Sequence, residues 1–138
     1  MSDDKKKISL PIVGAEAEQS DQPKSREEGG DIHSEIQKEV TENKVVLYMK
    51  GTPQQPMCGF SAKAAAVVAS YGVPFYTVNV LEDPEKRQGI KDFGEWPTIP
   101  QLYVDGELLG GSDIVAKMHE SGQLNDVIEQ AFADESEA

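Results

Sequence analysis

The chain has one cysteine, Cys58, among 138 residues. A lone thiol cannot close an internal disulfide, nor build a zinc site that takes several thiolates from one chain. No uninterrupted apolar run approaches the ~18 residues that a membrane-spanning helix needs, so no membrane partner is expected. Basic residues are also scarce: 13 Lys and Arg stand against 25 Asp and Glu, giving a formal charge of -12. Phosphates would be repelled by that balance, which argues against nucleic acid as a partner. Met1 to Lys7 is charged where a secretory signal turns apolar, and export is not expected. What is present, 38% hydrophobic and 28% charged residues, suits one soluble domain of ordinary size. The expectation is a small acidic intracellular protein whose single thiol acts with a partner molecule.

Residues 1-30 read as a disordered acidic and polar tail. They hold no aromatic residue and few large apolar ones, too little buried surface to offset the entropy of ordering. Ile8, Leu10, Ile12 and Val13 form a small apolar patch within it. Mitochondrial presequences are rich in Arg and poor in acids, whereas this tail carries Asp3, Asp4, Glu16 and Glu18. The domain spans 31-133, and 134-138 read as a frayed acidic C-terminus.

Within the domain the patterns alternate. Ile32, Ile36 and Val40 recur at helical spacing, and Val45 to Met49 is an apolar, β-branched run of strand length buried on both faces. A Gly/Pro-rich loop, Gly51 to Met57, precedes an Ala/Val-rich helix from Gly59 to Tyr71 that Gly72 stops. Phe75 to Val80 reads as a second strand. Asp83-Pro84 supplies an N-cap and a first-turn proline for a helix ending near Gly94. Asp105-Gly106 is a two-residue hairpin signal between Leu102 to Val104 and Glu107 to Leu109. Gly110 to Asp113 opens a helix through Met118, and a last helix covers Asn125 to Phe132. A strand-helix-strand unit crosses over right-handed into parallel pairing, while a tight hairpin is antiparallel. The expected fold is α/β: a thioredoxin-like, four-stranded mixed sheet flanked by helices, with the disordered N-terminal tail outside it.

Cys58 sits at a helix start, where unpaired N-H groups and the positive end of the helix dipole favour the thiolate. Lys50, at the end of the first strand, adds positive charge. Ser61, three residues on, cannot resolve a mixed disulfide as a second thiol would, and its hydroxyl is expected to bond the first turn of the helix. His33 and His119 make no metal-ligand spacing and are expected at the surface. Glu82, Asp83 and Glu85 read as a solvated helix start that the dipole favours.

Three motifs in order, Lys50-Gly51-Thr52-Pro53 through Cys58-Gly59-Phe60-Ser61, Trp96-Pro97-Thr98-Ile99-Pro100-Gln101-Leu102 and Gly110-Gly111-Ser112-Asp113-Ile114, resemble the monothiol glutaredoxins. The likeness covers about Asp31 to Phe132 and is nearest the single-domain type of mitochondria and bacteria. It implies a glutathione site in which Cys58 faces the glutathione thiol and Lys50 meets a carboxylate. Arg87 is implied as a second cationic contact. Pro100 matches the family's cis-proline, so that the Ile99 backbone pairs with the peptide as an added strand does. Ser112 and Asp113 match the residues that hold the γ-glutamyl end. Many relatives have Cys where this chain has Ser112, which removes a second thiol and leaves the glutathione contact. Trp96 is expected to pack beside the site rather than touch ligand.

The resemblance further implies binding and transfer of a [2Fe-2S] cluster in iron-sulfur protein assembly. Such a cluster takes four thiolates. One Cys58 and one glutathione, or a related thiol, from each of two chains supply them, so the cluster would bridge a homodimer that is monomeric when apo, with Cys58 as the metal ligand. Apo iron-sulfur proteins would receive it. The alternative is a glutathione-dependent thiol-disulfide oxidoreductase using a one-thiol route. Thr52 to Pro56 resembles the longer loop of the cluster-carrying class, which disfavours that turnover, so weak or no oxidoreductase activity is expected. The implied compartment is the mitochondrial matrix in a eukaryote and the cytoplasm in a bacterium.

Overall fold

The computed structural model describes the backbone of residues 17-19 and 31-137, and side chains over 31-133. The remainder of the expected tail, with its apolar patch, lies outside the described residues. Within 1-30 the described residues are those of a short strand, β1 (Ala17–Gln19). It pairs in parallel with the outer edge of the second domain strand, where unpaired backbone groups offer it partners.

Helix α1 (Ile32–Glu42) starts on Asp31, whose carboxylate accepts the Ser34 N-H at 2.8 Å. Strand β2 (Val45–Met49) is buried throughout. Helix α2 (Gly59–Ala69) ends two residues before the expected Tyr71 and leads into β3 (Phe75–Asn79). A short 3-10 turn, Val80–Glu82, takes the place of the strand's last expected residue. Helix α3 (Pro84–Gly94) has the expected Asp83 cap, which accepts the Lys86 N-H at 3.1 Å. The hairpin β4 (Gln101–Val104) and β5 (Glu107–Gly110) turns on Asp105 and Gly106, both at positive φ, 54° and 83°. Helix α4 (Ser112–Ser121) breaks at Gly122, and α5 (Gln123–Glu137) continues past Phe132 through most of the segment expected to fray.

The sheet order is β1-β3-β2-β4-β5, with β2 and β3 parallel and the β2-β4 and β4-β5 pairs antiparallel. This is the expected four-stranded mixed sheet with one short strand added at its edge. Alternation along β2 explains why every residue in it is buried. Val45, Leu47 and Met49 pack under α2, α4 and α5 with Val68, Val115 and Leu124. Val46 and Tyr48 face α1 and α3 with Ile36, Val40 and Ile90. Helices on both faces leave the ends of β2 and β3 open, and the thiol-bearing loop emerges there.

Candidate functional site

The loop is folded by a glycine in a conformation other residues rarely adopt. Gly51 has φ of 91°, and a Cβ there would lie 2.5 Å from the Gln55 carbonyl oxygen and 2.6 Å from the Met57 nitrogen. The chain doubles back tightly: the Met57 N-H donates to the Lys50 carbonyl at 2.9 Å, and Gly51 bridges Pro56. The Gly51 N-H donates to Asn79 Oδ1 at 2.9 Å, and the same oxygen accepts the Leu81 N-H at 3.0 Å. Asn79 therefore ties the thiol loop to the lead-in of α3. Sequence reasoning passed over it; its one signal is an Asn ending a strand just before a helical turn.

Cys58 is the N-cap of α2, in extended conformation, and its neutral thiol makes no capping hydrogen bond. The first-turn donors are thus left for the thiolate. The Ser61 N-H, then the Phe60 N-H, the Ser61 hydroxyl and the Lys50 charge hold the thiol below its ordinary range, against an opposing contribution from partial burial. Ser61 is fully buried and accepts the Lys50 N-H at 3.0 Å. It joins the helix start to the end of β2 instead of serving its own first turn alone, as expected from sequence. Because that bond uses a lone pair, the hydroxyl proton remains for Cys58. Ser61→Ala is expected to raise the Cys58 pKa toward the ordinary thiol range and so slow alkylation at neutral pH. The rate of reaction with iodoacetamide as a function of pH measures this directly.

The opposite wall is the segment before β4. The Ile99-Pro100 peptide bond is cis, in agreement with the resemblance. Gln101, fully buried, donates from Nε2 to the carbonyls of Trp96 at 3.1 Å and Thr98 at 3.2 Å, while its Oε1 accepts the Tyr103 hydroxyl at 3.1 Å. This amide holds the segment in shape, a role that its place in the motif Trp96 to Leu102 did not reveal. Gly111 permits the close approach of the two walls: a Cβ there would lie 3.2 Å from the Pro100 oxygen and 3.3 Å from Trp96 Nε1. Trp96 Nε1 and Ser112 Oγ are buried without a hydrogen-bond partner among the described residues.

Together these elements enclose a groove of about 480 Å³. Lys50, Cys58, Arg87, Ile99, Pro100, Ser112 and Asp113, drawn from five separate places in the sequence, all line it. Lys91 lines it too and was missed, although it follows Arg87 by one helical turn and so shares its face. His33 and His119 are exposed, as expected, with the Tyr71 hydroxyl 2.6 Å from His119 Nδ1. Among the described residues no three His, Cys, Asp or Glu side chains converge as a metal site.

An acidified thiol at a helix start, facing a cis-proline across a groove on this sheet, places the chain among thioredoxin-fold thiol proteins. The Glutaredoxin family model matches residues 45-109. A Synechocystis protein described as an uncharacterized monothiol glutaredoxin, ycf64-like, is 50% identical over 94 residues, which is 68% of this chain and 88% of that one. The mitochondrial monothiol glutaredoxin-5 of Schizosaccharomyces pombe is 50% identical over 101 residues, 71% of this chain and 69% of that one. The solution structure of reduced poplar apo GrxS14 superposes with a TM-score of 0.65 at 46% identity, covering 72% of this chain and 92% of that one. The chain belongs to the glutaredoxin family, and its relatives at this level of identity are monothiol glutaredoxins.

Proposed function

We propose that the protein binds glutathione in the groove beside Cys58 and carries a [2Fe-2S] cluster between two copies, for delivery to apo iron-sulfur proteins. The observation that carries this reading is the convergence of one acidified thiol with free cations and unused hydrogen-bond donors in a single groove. Lys50, Arg87 and Lys91 make no salt bridge among the described residues, and they suit the glycine carboxylate of glutathione. The start of α4, with Ser112 and Asp113, suits the carboxylate and ammonium of the γ-glutamyl end. The Ile99 backbone beside the cis-proline suits the peptide main chain. Lys50→Ala is expected to weaken glutathione binding about tenfold, the loss of one charge-assisted contact, as read by NMR titration.

The cluster is cargo. A single Cys58 from this chain and one glutathione thiol provide two of the four thiolates required, so a second copy with its own glutathione completes the set. Gly59 leaves room for it, since a Cβ there would meet nothing within 4 Å. Met57 and Phe60, 66% and 63% exposed, flank the thiol, and Ile114, 36% exposed, lines the same groove. An apolar collar of this kind suits a surface that another protein covers. The mitochondrial relatives support the matrix as the compartment if the source is a eukaryote; the bacterial ones support the cytoplasm otherwise.

Anaerobic reconstitution with iron, sulfide and glutathione, followed by visible absorption, circular dichroism and light scattering, tests the proposal. A coloured dimer that reverts to monomer when glutathione is withdrawn supports it; a colourless monomer throughout refutes it. The lowered thiol pKa favours a second reading. The Cys58 thiolate attacks the glutathione sulfur of a mixed disulfide and releases the protein thiolate. A second glutathione thiolate then attacks that glutathionyl sulfur, yielding glutathione disulfide and free Cys58. Turnover of a glutathionylated substrate separates the two readings.

A further inference from the structure

On the face of α3 that packs against α1, Lys86 is buried, with only 3% of its side chain exposed. Its Nζ lies 2.5 Å from Glu39 Oε2 and 2.8 Å from Glu35 Oε2, two carboxylates on successive turns of α1. Glu39 accepts a further hydrogen bond, at 2.7 Å, from the hydroxyl of Tyr48, which is fully buried in β2. Burial, followed by the charge of Glu39, holds the Tyr48 phenol well above its ordinary range, so it stays a donor. Nothing in the thiol chemistry uses this network, and a lysine is expensive to bury without a reason.

Helical geometry connects it to the groove. Along α3, Lys86, Gly89 and Ile90 face inward, and Gly89 lies so close to α1 that a Cβ would come 2.7 Å from Ile32 Cγ1. Arg87 and Lys91, offset from that stripe and one turn apart, line the groove. The direction of both cations is set by the rotation of α3 about its own axis. Gly89 sets how near α3 lies to α1 but offers a smooth contact. The Lys86 ammonium, held from two turns of α1, is the strongly directional one, beside the edge-on contact of Phe93 with His33 at the other end of α3.

We propose that the Lys86-Glu39-Glu35 clamp, braced by Tyr48, is a positioning device that aims Arg87 and Lys91 at the glycine carboxylate of glutathione. It rests on the glutathione reading above and deepens it: residues that never touch the ligand set its affinity through the angle of α3. Their effect is confined to the anionic end of the ligand, because Cys58 and the start of α4 stand on other elements.

The test compares NMR titrations of glutathione and its glycine ethyl ester under reducing conditions, for wild type, Lys86→Met and Lys86→Arg. Wild type is expected to prefer glutathione over the ester. Lys86→Met keeps the volume and loses the direction; it is expected to weaken glutathione about tenfold and leave the ester unchanged, with the Cys58 pKa unmoved. Lys86→Arg restores the preference. Equal weakening of both ligands by Lys86→Met, or no weakening of either, overturns the clamp while leaving the glutathione site standing. If Lys86→Met does not fold, Glu39→Gln gives the same contrast with the ammonium still paired to Glu35. A wild type that binds neither ligand, or does not distinguish them, overturns the glutathione-carboxylate reading itself, and the clamp with it.

Discussion

Cys58→Ser is expected to abolish cluster assembly outright and, at acidic pH where the thiol is protonated, to make the apo protein slightly more stable. The loss follows from the ligand count: a serine hydroxyl is not a thiolate at neutral pH, and the described residues offer no other thiol. Neither iron nor sulfide in excess would compensate. The gain follows from the position. Cys58 is the N-cap of α2 and makes no capping bond as a neutral thiol, whereas serine is among the best residues there. Its oxygen would accept a first-turn N-H, contributing roughly 0.5-1 kcal/mol by comparison with other cap substitutions. Thermal unfolding of the apo forms at acidic pH should therefore show a small rise in Tm for the variant, an advantage that shrinks as pH rises and the wild-type thiolate takes the same donors, while reconstitution gives a colourless monomer. A variant that unfolds earlier than wild type even at acidic pH would mean that the cysteine packs as part of the core, contrary to its partly exposed setting at the groove.

Gly51→Ala is expected to damage both stability and thiol chemistry, and by more than its single methyl group suggests. The obstruction is backbone on both sides, the Gln55 carbonyl oxygen and the Met57 nitrogen, so no side chain can swing away to relieve it. The residue would also sit at a φ of 91°. Strain of this kind costs about 1-3 kcal/mol, and here it is relieved only by opening the loop. Opening it breaks the Met57-to-Lys50 hydrogen bond and carries Cys58 away from Lys50. Denaturant unfolding should give a loss of about 3 kcal/mol, and the pH profile of alkylation should move toward that of an ordinary thiol. By contrast Gly59→Ala, which meets open space, should leave the apo fold nearly unchanged.

Much of the domain was legible because its signals are local. Asp83-Pro84 and Asp105-Gly106 carry their conformation in adjacent residues, and the run from Val45 to Met49 could be read as doubly buried from its composition alone. The groove was legible through motifs whose members lie far apart in sequence, including the cis bond before Pro100. What escaped was set by tertiary packing. Lys86 looks like any solvated helix lysine until α1 supplies Glu35 and Glu39. Gln101 and Asn79 are polar residues whose importance rests on which backbone groups the fold leaves unpaired nearby. Lys91 shares a face with Arg87, a relation visible in the helical period but without meaning until the groove exists. The edge strand Ala17–Gln19 escaped for a similar reason: three residues in a polar tail acquire a partner only when β3 presents a free edge.

The groove's three cations stand against a single carboxylate, Asp113, on a chain whose formal charge is -12. Such a molecule has a strong electric asymmetry as well as an excess of negative charge. An anion diffusing toward it is turned away over much of its surface and drawn in at one mouth, so encounters are pre-sorted by orientation before any contact is made. Association with anionic ligands should accordingly slow as ionic strength rises, while the intrinsic chemistry of the thiol changes little. Two copies meeting mouth to mouth would oppose like charges until something negative lies between them. In the proposed dimer the same asymmetry would act as a latch, held open without the anionic load and closed by it.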